Sequence, residues 1–219
     1  MEKRKIVLGN YDTAAHGWTL TPWKLAPPAQ KTSYVDKPGG DGSWDLSTAL
    51  TDGIMRYKNR TLTATLECSD GNRLNREALI REMINTLDGM QVNIELPDDT
   101  EHYLIGRLQI TKEYNDTAHA AVKVTATCEP WKYNNAETVV TLTATSTAKT
   151  ATLVNNGRRA VVPVIKVSSS VVIGYGNTSQ ALNAGTYQLP NILLTPGTHS
   201  ITYSGAGSLV LTYREAVLE

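Results

Sequence analysis

The pattern that most limits the possible folds is a strict alternation of apolar and polar residues in two separate segments. In residues 61–68, apolar side chains occupy every second position, and threonine or glutamate fills the positions between them. Residues 120–128 also place an apolar side chain at every second position, with lysine or threonine between them from position 122 onward. Such alternation is typical of a β-strand that buries one face and exposes the other. Cys68 and Cys128 lie on the apolar faces, so we expect both thiols to be small buried hydrophobic groups rather than metal or redox sites.

A helical period of three to four residues is clear in residues 75–88. Asn75 is the predicted N-cap, and Gly89 follows as the left-handed residue that commonly ends a helix. Glu77 and Arg81 are four residues apart, which suits an ion pair. We expect the apolar stripe of this helix to pack on a sheet rather than bind a partner or a membrane. The stripe consists of Leu79, Ile80, Met83, Ile84 and Leu87.

The character of the chain changes near Asn134. Within residues 129–135, Pro130 is expected to interrupt strand pairing, and the two adjacent asparagines favour a turn. Beyond this point charges are sparse, and short Val- and Thr-rich segments recur between Gly, Asn and Pro turns, which is typical of a β-sandwich. We therefore predict a mainly β protein with two domains, residues 1–134 and residues 135–219.

Charge and hydropathy exclude several classes of function. The 21 basic and 21 acidic side chains balance, and no long basic run is present, so we predict no sequence-specific nucleic-acid binding. No apolar stretch approaches the roughly 20 residues that cross a bilayer, and the first apolar run stops at Gly9, so neither a membrane segment nor a signal peptide is predicted. The two cysteines are not a disulfide framework, which fits folding in a reducing cytoplasm.

No residue pattern in the sequence points to catalysis. The four histidines are scattered, and none has the spacing of a metal-binding motif. Asp41 and Asp45 flank a Gly-rich loop, but their spacing does not match a calcium-binding EF-hand loop. Neither a serine nucleophile elbow nor a phosphate-binding loop is present. We predict no catalytic site, no metal site and no cofactor, so the chain is not expected to be an enzyme.

A stretch rich in turn-forming residues, 27–52, is too long to lie inside one core. Loops of this length in compact domains are commonly functional. Two roles are open for Trp44: it anchors a contact with a neighbouring subunit, or it caps the core of its own domain. Lys37, Asp41 and Asp45 are expected to shape the loop, and Arg60 to tie it to a carboxylate.

Several stretches, in order over nearly the whole chain, match the motifs of one known family. They are residues 38–47, 57–62, 87–89, 96–99, 103–108, 128–133, 155–157 and 194–201. The first reads PGGDGSWDLS and is similar to the family pattern PGxDGxxDLS; the second, YKNRTL, is similar to the pattern YxNRxL. On these motifs the chain resembles the siphophage distal tail (Dit) family of baseplate proteins.

The resemblance implies a structural protein of the virion tail. Residues 1–134 would form a tail-tube-like β-sandwich or barrel with one flanking helix, and would close into a hexameric ring. Residues 135–219 would form a galectin-like β-sandwich that projects as an attachment point. The ring would join the tail tube protein to tail-tip, tail-fibre or receptor-binding proteins, after assembly in the host bacterial cytoplasm. The candidate subunit-interface residues are Pro38, Gly39, Gly40, Asp41, Gly42, Trp44, Asp45 and Arg60.

Two alternative functions stay open. Another tail-tube or tail-tip component with similar β architecture would polymerise into filaments, whereas a hub stops at a ring. A carbohydrate-binding accessory module would place an aromatic platform on the second sandwich, although tyrosines at strand positions are more often half-buried sheet residues. The aromatic residues beyond Asn134 are Tyr175, Tyr187, Tyr203 and Tyr213. The chain lacks the long insertion of larger family members, so direct receptor binding is not expected.

Overall fold

The computed structural model of the protein describes residues 4–51 and 53–219. The chain forms two compact units. The first runs up to Lys132 and includes Glu219, and the second is Tyr133–Leu218. The predicted fold class is confirmed, because both units are built mainly of antiparallel strands, and the described residues contain a single α-helix.

The first unit contains one large sheet, one helix and a separate two-stranded sheet. Its elements are β1 (Val7–Leu8), β2 (Tyr11–Asp12), β3 (Thr19–Leu25), β4 (Tyr34–Asp36), β5 (Ser43–Asp45), β6 (Arg60–Cys68), α1 (Arg73–Leu87), β7 (Gln91–Leu96), β8 (Asp99–Asn115) and β9 (Ala120–Asn134). Seven strands follow one another in the large sheet in the order β2-β1-β7-β8-β9-β6-β3, and α1 packs against β8. Strands β4 and β5 pair only with each other.

The two alternating segments are neighbours at the centre of the large sheet. Strands β6 and β9 pair antiparallel from Arg60 opposite Cys128 to Cys68 opposite Ala120. The apolar positions of both strands are buried in one core, as the alternation predicts. Gly106 of β8 lies close against this core, since a Cβ atom there would come within 2.8 Å of the Cys128 sulfur. Only a residue without a side chain fits at this point of the sheet.

The two cysteines are free and buried, as expected for small hydrophobic groups. Burial raises the pKa of the Cys128 thiol to about 11. At pH 8 only about one Cys128 side chain in a thousand is therefore in the thiolate form, which is the reactive one. We expect no alkylation of the folded protein by iodoacetamide at pH 8, and two additions per chain in denaturant, as read by intact mass. Rapid modification of the folded chain would show that the core around these strands opens.

The helix begins earlier than predicted. Its N-cap is Asn72, whose side chain accepts the backbone N–H of Leu74, so Asn75 lies inside the first turn rather than at the cap. The Asn72 N–H in turn donates to the Asp70 carboxylate over 2.7 Å, which fixes the turn before the helix. The predicted end is confirmed, because Gly89 follows the last helical turn with a φ of +76°.

Arg81 interacts with Glu77 electrostatically, as its spacing suggested, but it is not the main partner of that carboxylate. The Glu77 carboxylate accepts Lys112 Nζ at 2.6 Å and the Asn115 side-chain amide at 2.9 Å, both from β8. A partner fixed on the sheet beneath the helix holds its position better than one on the next helical turn. These contacts, with Lys112 the largest, lower the pKa of Glu77.

Strand β9 continues through Pro130, where the sequence predicted an interruption. Its pairing with β6 stops at Cys128, which faces Arg60, the first residue of β6. Pro130 therefore lies beyond the end of that neighbour. A proline is tolerated in a strand at a position where its missing N–H is not part of the ladder, and on the β6 side of β9 that ladder has already ended. Near this end Lys132 donates to the Asp99 carboxylate over 3.0 Å, and Asp99 also contacts His102 Nδ1 at 2.8 Å.

The second unit is a sandwich of two four-stranded sheets. Its sheet strands are β10 (Thr138–Ala144), β11 (Lys149–Asn155), β12 (Val164–Val167), β13 (Val171–Tyr175), β14 (Thr178–Leu182), β15 (Gly185–Gln188), β16 (Gly197–Gly205) and β17 (Gly207–Tyr213). A short strand that lies in neither sheet, β18 (Ala216–Val217), follows them. The sheets are ordered β10-β17-β12-β15 and β11-β16-β13-β14 and enclose one apolar core. Strand β14 was not predicted, because four of its five residues are exposed and its sequence does not alternate.

Candidate functional site

The stretch of turn formers in the first unit forms a hairpin that extends from the sheet; we call residues 33–47 the hairpin arm. Its core is the pairing of Val35 with Trp44, flanked by the pairs on either side. The strand pairing continues away from the tip of the hairpin, because Leu46 N–H donates to the Ser33 carbonyl over 2.8 Å. All positions from 29 to 46 are exposed, so the arm is not covered by its own unit.

Glycines shape the tip of the hairpin arm. Gly39 and Gly42 have φ values of +69° and +75°, a conformation that side chains other than glycine adopt at a cost. Backbone bonds close the tip from Gly40 N–H to the Lys37 carbonyl, and from Lys37 N–H to the Gly42 carbonyl, each 3.2 Å long. The run PGGDG, predicted as a loop, is therefore the turn of a hairpin.

The hairpin arm has one apolar face, and its opposite face carries polar groups and Tyr34. Residues paired across the strands, and residues two apart along them, share a face. Val35, Trp44 and Leu46 consequently lie on one face. On the other face, the Ser43 hydroxyl donates to the Asp36 carboxylate over 2.8 Å. A two-stranded hairpin in water is marginally stable unless it packs on something, so the apolar face is suited to contact with another molecule.

Of the two roles considered for Trp44, capping its own core is excluded. Its side chain is 50% exposed and does not belong to the apolar core of the unit. Val35 and Leu46 are each 45% exposed. Neither residue was among the predicted site residues, although their alternation with Tyr34 and Asp45 was a signal that could have indicated a two-faced hairpin.

The root of the arm is fixed to the unit. Gln30 and Tyr57 form an isolated antiparallel bridge, and Lys31 N–H donates to the Arg56 carbonyl over 2.8 Å. The Tyr57 ring meets the Trp131 ring edge to face, with 5.7 Å between ring centroids. The chain therefore leaves the unit after Gln30 and returns to it at Tyr57, at one anchored point.

The remaining predicted site residues divide between the arm and the sheet. Asp45 accepts the Ser47 backbone N–H over 2.9 Å, and its bonds to Ser47 lower the pKa of this carboxyl, which agrees with a role in loop shape. Asp41 is exposed at the tip. Arg60 lies on β6, not on the hairpin, and its side chain is buried. Its Nη1 is 3.7 Å from the carboxylate of Glu219, and burial lowers the pKa of the guanidinium.

In the part of the chain that the structure describes, no three His, Cys, Asp or Glu side chains are grouped closely enough to hold a metal ion.

Across residues 4–51 and 53–219, no helix is long and apolar enough to cross a bilayer.

The tyrosines of the second unit do not form an exposed aromatic platform. Tyr203 and Tyr213 are buried in the sandwich core. Tyr175 and Tyr187 are half-buried, and their hydroxyls donate to the backbone carbonyls of Leu193 and Asn183. This agrees with the interpretation of these residues as sheet residues.

Comparison with known proteins identifies the fold. No protein-family model matches the chain, and no curated protein matches its sequence. Among solved structures, the same fold occurs in a hub protein of a phage adsorption apparatus. That protein is SPP1 Dit, described as a paradigm of this apparatus in phages that infect Gram-positive bacteria. The TM-score is 0.69 at 15% sequence identity, over 96% of this chain and 98% of SPP1 Dit. The resemblance to the Dit family is thereby confirmed at the level of the fold.

Proposed function

We propose that the chain is a structural, non-enzymatic protein of a long non-contractile phage tail, acting as the distal hub. In this role it assembles into a hexameric ring that joins the tail tube to the tip and its host-adsorption apparatus. The observation that carries the proposal is the exposed apolar face of the hairpin arm, on a chain that has the Dit fold over 96% of its length.

The arm supports assembly on physical grounds. Aromatic residues dominate the well-packed centres of protein interfaces, and Trp44 stands half-exposed between two aliphatic neighbours on an otherwise unsupported hairpin. A contact made by one such projection with a different surface of the next copy repeats by rotation, and it closes into a ring when the successive rotations add up to a full turn. Trp44 is thus the proposed anchor, and the glycine tip and Asp45 keep the hairpin in shape.

The two parts of the chain have different proposed roles. Residues 1–134 form the ring and meet the tail tube protein. Residues 135–219 form a galectin-like sandwich that holds tail-tip, tail-fibre or receptor-binding proteins. The protein belongs to the virion tail and is assembled in the cytoplasm of the host bacterium.

The test is the molar mass of the purified protein by light scattering, with negative-stain imaging of the same fraction. A ring with a central hole and about six times the chain mass is the expected result. Filaments would instead favour a tail-tube component. A chain that stays monomeric at every concentration would contradict self-assembly and would favour assembly on a partner protein.

A further inference from the structure

A groove in the first unit is a candidate binding surface; we call it the helix groove. It lies between the second half of α1 and the β1–β2 hairpin, above β7, and has a volume of about 640 Å³. The buried Leu8 and Leu87 contribute to its lining, and Met90, 53% exposed, stands at its edge. A methionine at such a place adapts to an incoming side chain.

One wall of the helix groove is an aromatic stack. The Tyr11 and His16 rings lie 3.8 Å apart between centroids at an interplanar angle of 16°. Two exposed carboxylates, Glu82 of α1 and Glu95 of β7, also line the groove, and His16 Nε2 is 3.8 Å from Glu82. No lysine or arginine is among the described lining residues. The groove therefore combines apolar residues and an aromatic wall with an acidic rim. The other polar side chains of its lining are those of Asn10, Thr86 and Asn93.

We propose that the helix groove receives the apolar face of the hairpin arm of a second copy of this chain. This inference rests on the proposed ring and names the surface that the arm contacts. Val35, Trp44 and Leu46 match the apolar residues of the groove. Lys37 pairs with Gly42 next along the same ladder, which places an exposed cation on the apolar face near the tip, opposite the acidic rim.

The arm and the groove are separate on one chain. None of the groove-lining residues belongs to the arm, and the arm's apolar face is exposed in its own chain. Each chain therefore carries one projection and one recess. When the arm of one copy docks in the groove of the next, an open row of copies always has one free groove at one end and one free arm at the other. A closed ring leaves neither surface free.

Disulfide cross-linking tests this contact directly. The chain's own thiols are buried, so engineered cysteines on the surface are the ones that react. Leu46→Cys places a thiol beside Trp44 on the arm, and Met90→Cys places one at the groove. On oxidation, the double variant is expected to give covalent multimers in a non-reducing gel. The matched control combines Leu46→Cys with Leu74→Cys, which is 78% exposed at the other end of α1.

The outcomes separate this inference from the proposed ring. Rings of wild-type protein without cross-linking of the double variant above the control would overturn the docking and leave the hub function standing. An oxidised monomer would mean that the arm reaches its own groove, which also overturns the proposal. A chain that neither assembles nor cross-links overturns both.

The acidic rim provides a second, independent measurement. Lys37→Glu brings like charges together at the rim and is expected to weaken association at least tenfold. Lys123→Glu, on an exposed position of β9, changes net charge equally and is expected to leave association unchanged. Equal association constants for the two variants, measured by sedimentation, would contradict the position given to Lys37.

Discussion

Trp44→Ala is expected to reduce the assembled protein to monomers that are as stable to unfolding as monomeric wild-type protein. The side chain is half-exposed and lies outside the core, so its loss costs the folded monomer little. As the central aromatic of a subunit contact it is expected to contribute about 2–4 kcal/mol. That loss recurs at every contact of a ring. Light scattering at matched concentrations measures the assembly. Scanning calorimetry at concentrations where the wild-type protein is also monomeric measures the unfolding, because assembly itself stabilises the folded chain.

Tyr34→Ala is the matched control for this experiment. Tyr34 is also an exposed aromatic residue of the arm, at 61%, but it lies on the face opposite Trp44. Its removal is expected to leave the ring intact. Disassembly by both variants would indicate that general destabilisation of the hairpin is responsible. Melting of the first unit by Trp44→Ala alone would contradict the interface role.

Arg76→Ala is expected to destabilise the first unit by about 2–4 kcal/mol, because hydrogen bonds of a charged donor are lost in a buried place. The guanidinium has no exposed surface. Its Nε donates to the Asn115 side chain over 3.1 Å, and Nη2 donates to the Asp116 carbonyl over 2.7 Å. Nη1 donates to the Asp70 carbonyl. One side chain thus ties the start of α1 to the turn between β8 and β9.

Chemical unfolding in urea, followed by tryptophan fluorescence, measures this loss. The first unit contains all four tryptophans of the chain, so the signal reports on it. The control is Arg81→Ala, an exposed arginine of the same helix, for which a change within about 0.5 kcal/mol is expected. Similar midpoints for both variants would show that the bonds made by Arg76 contribute no net stability.

Residue periodicity predicted the regular parts of the fold. Strict alternation placed β6 and the first part of β9, because a half-buried strand imposes a period of two on its sequence. The start of α1 was displaced, since Asn72 and Asn75 are equally good caps and only the preceding turn at Asp70 selects between them. The burial of Arg76 left no signal in the sequence, because an arginine on a helix is usually exposed.

The candidate site was predicted in part. Its turn residues and its tryptophan were identified, because glycine runs and a lone aromatic in a long loop are local features. The face of the hairpin on which Trp44 lies is set by the register of the two strands. In this register residue 46 pairs with residue 33. The helix groove was missed because its walls come from segments far apart in the chain, which only the folded sheet brings together.

The anchored root of the hairpin arm makes the assembly surface a separable module. Gln30 and Tyr57 face each other in an antiparallel bridge, so their Cα atoms are about 5 Å apart. A linker of about two glycines spans that gap, since each residue adds at most about 3.5 Å. The whole projection can in principle be excised or exchanged between related chains without altering the large sheet. Changes in the partner that a subunit selects and changes in the stability of its body can therefore evolve independently.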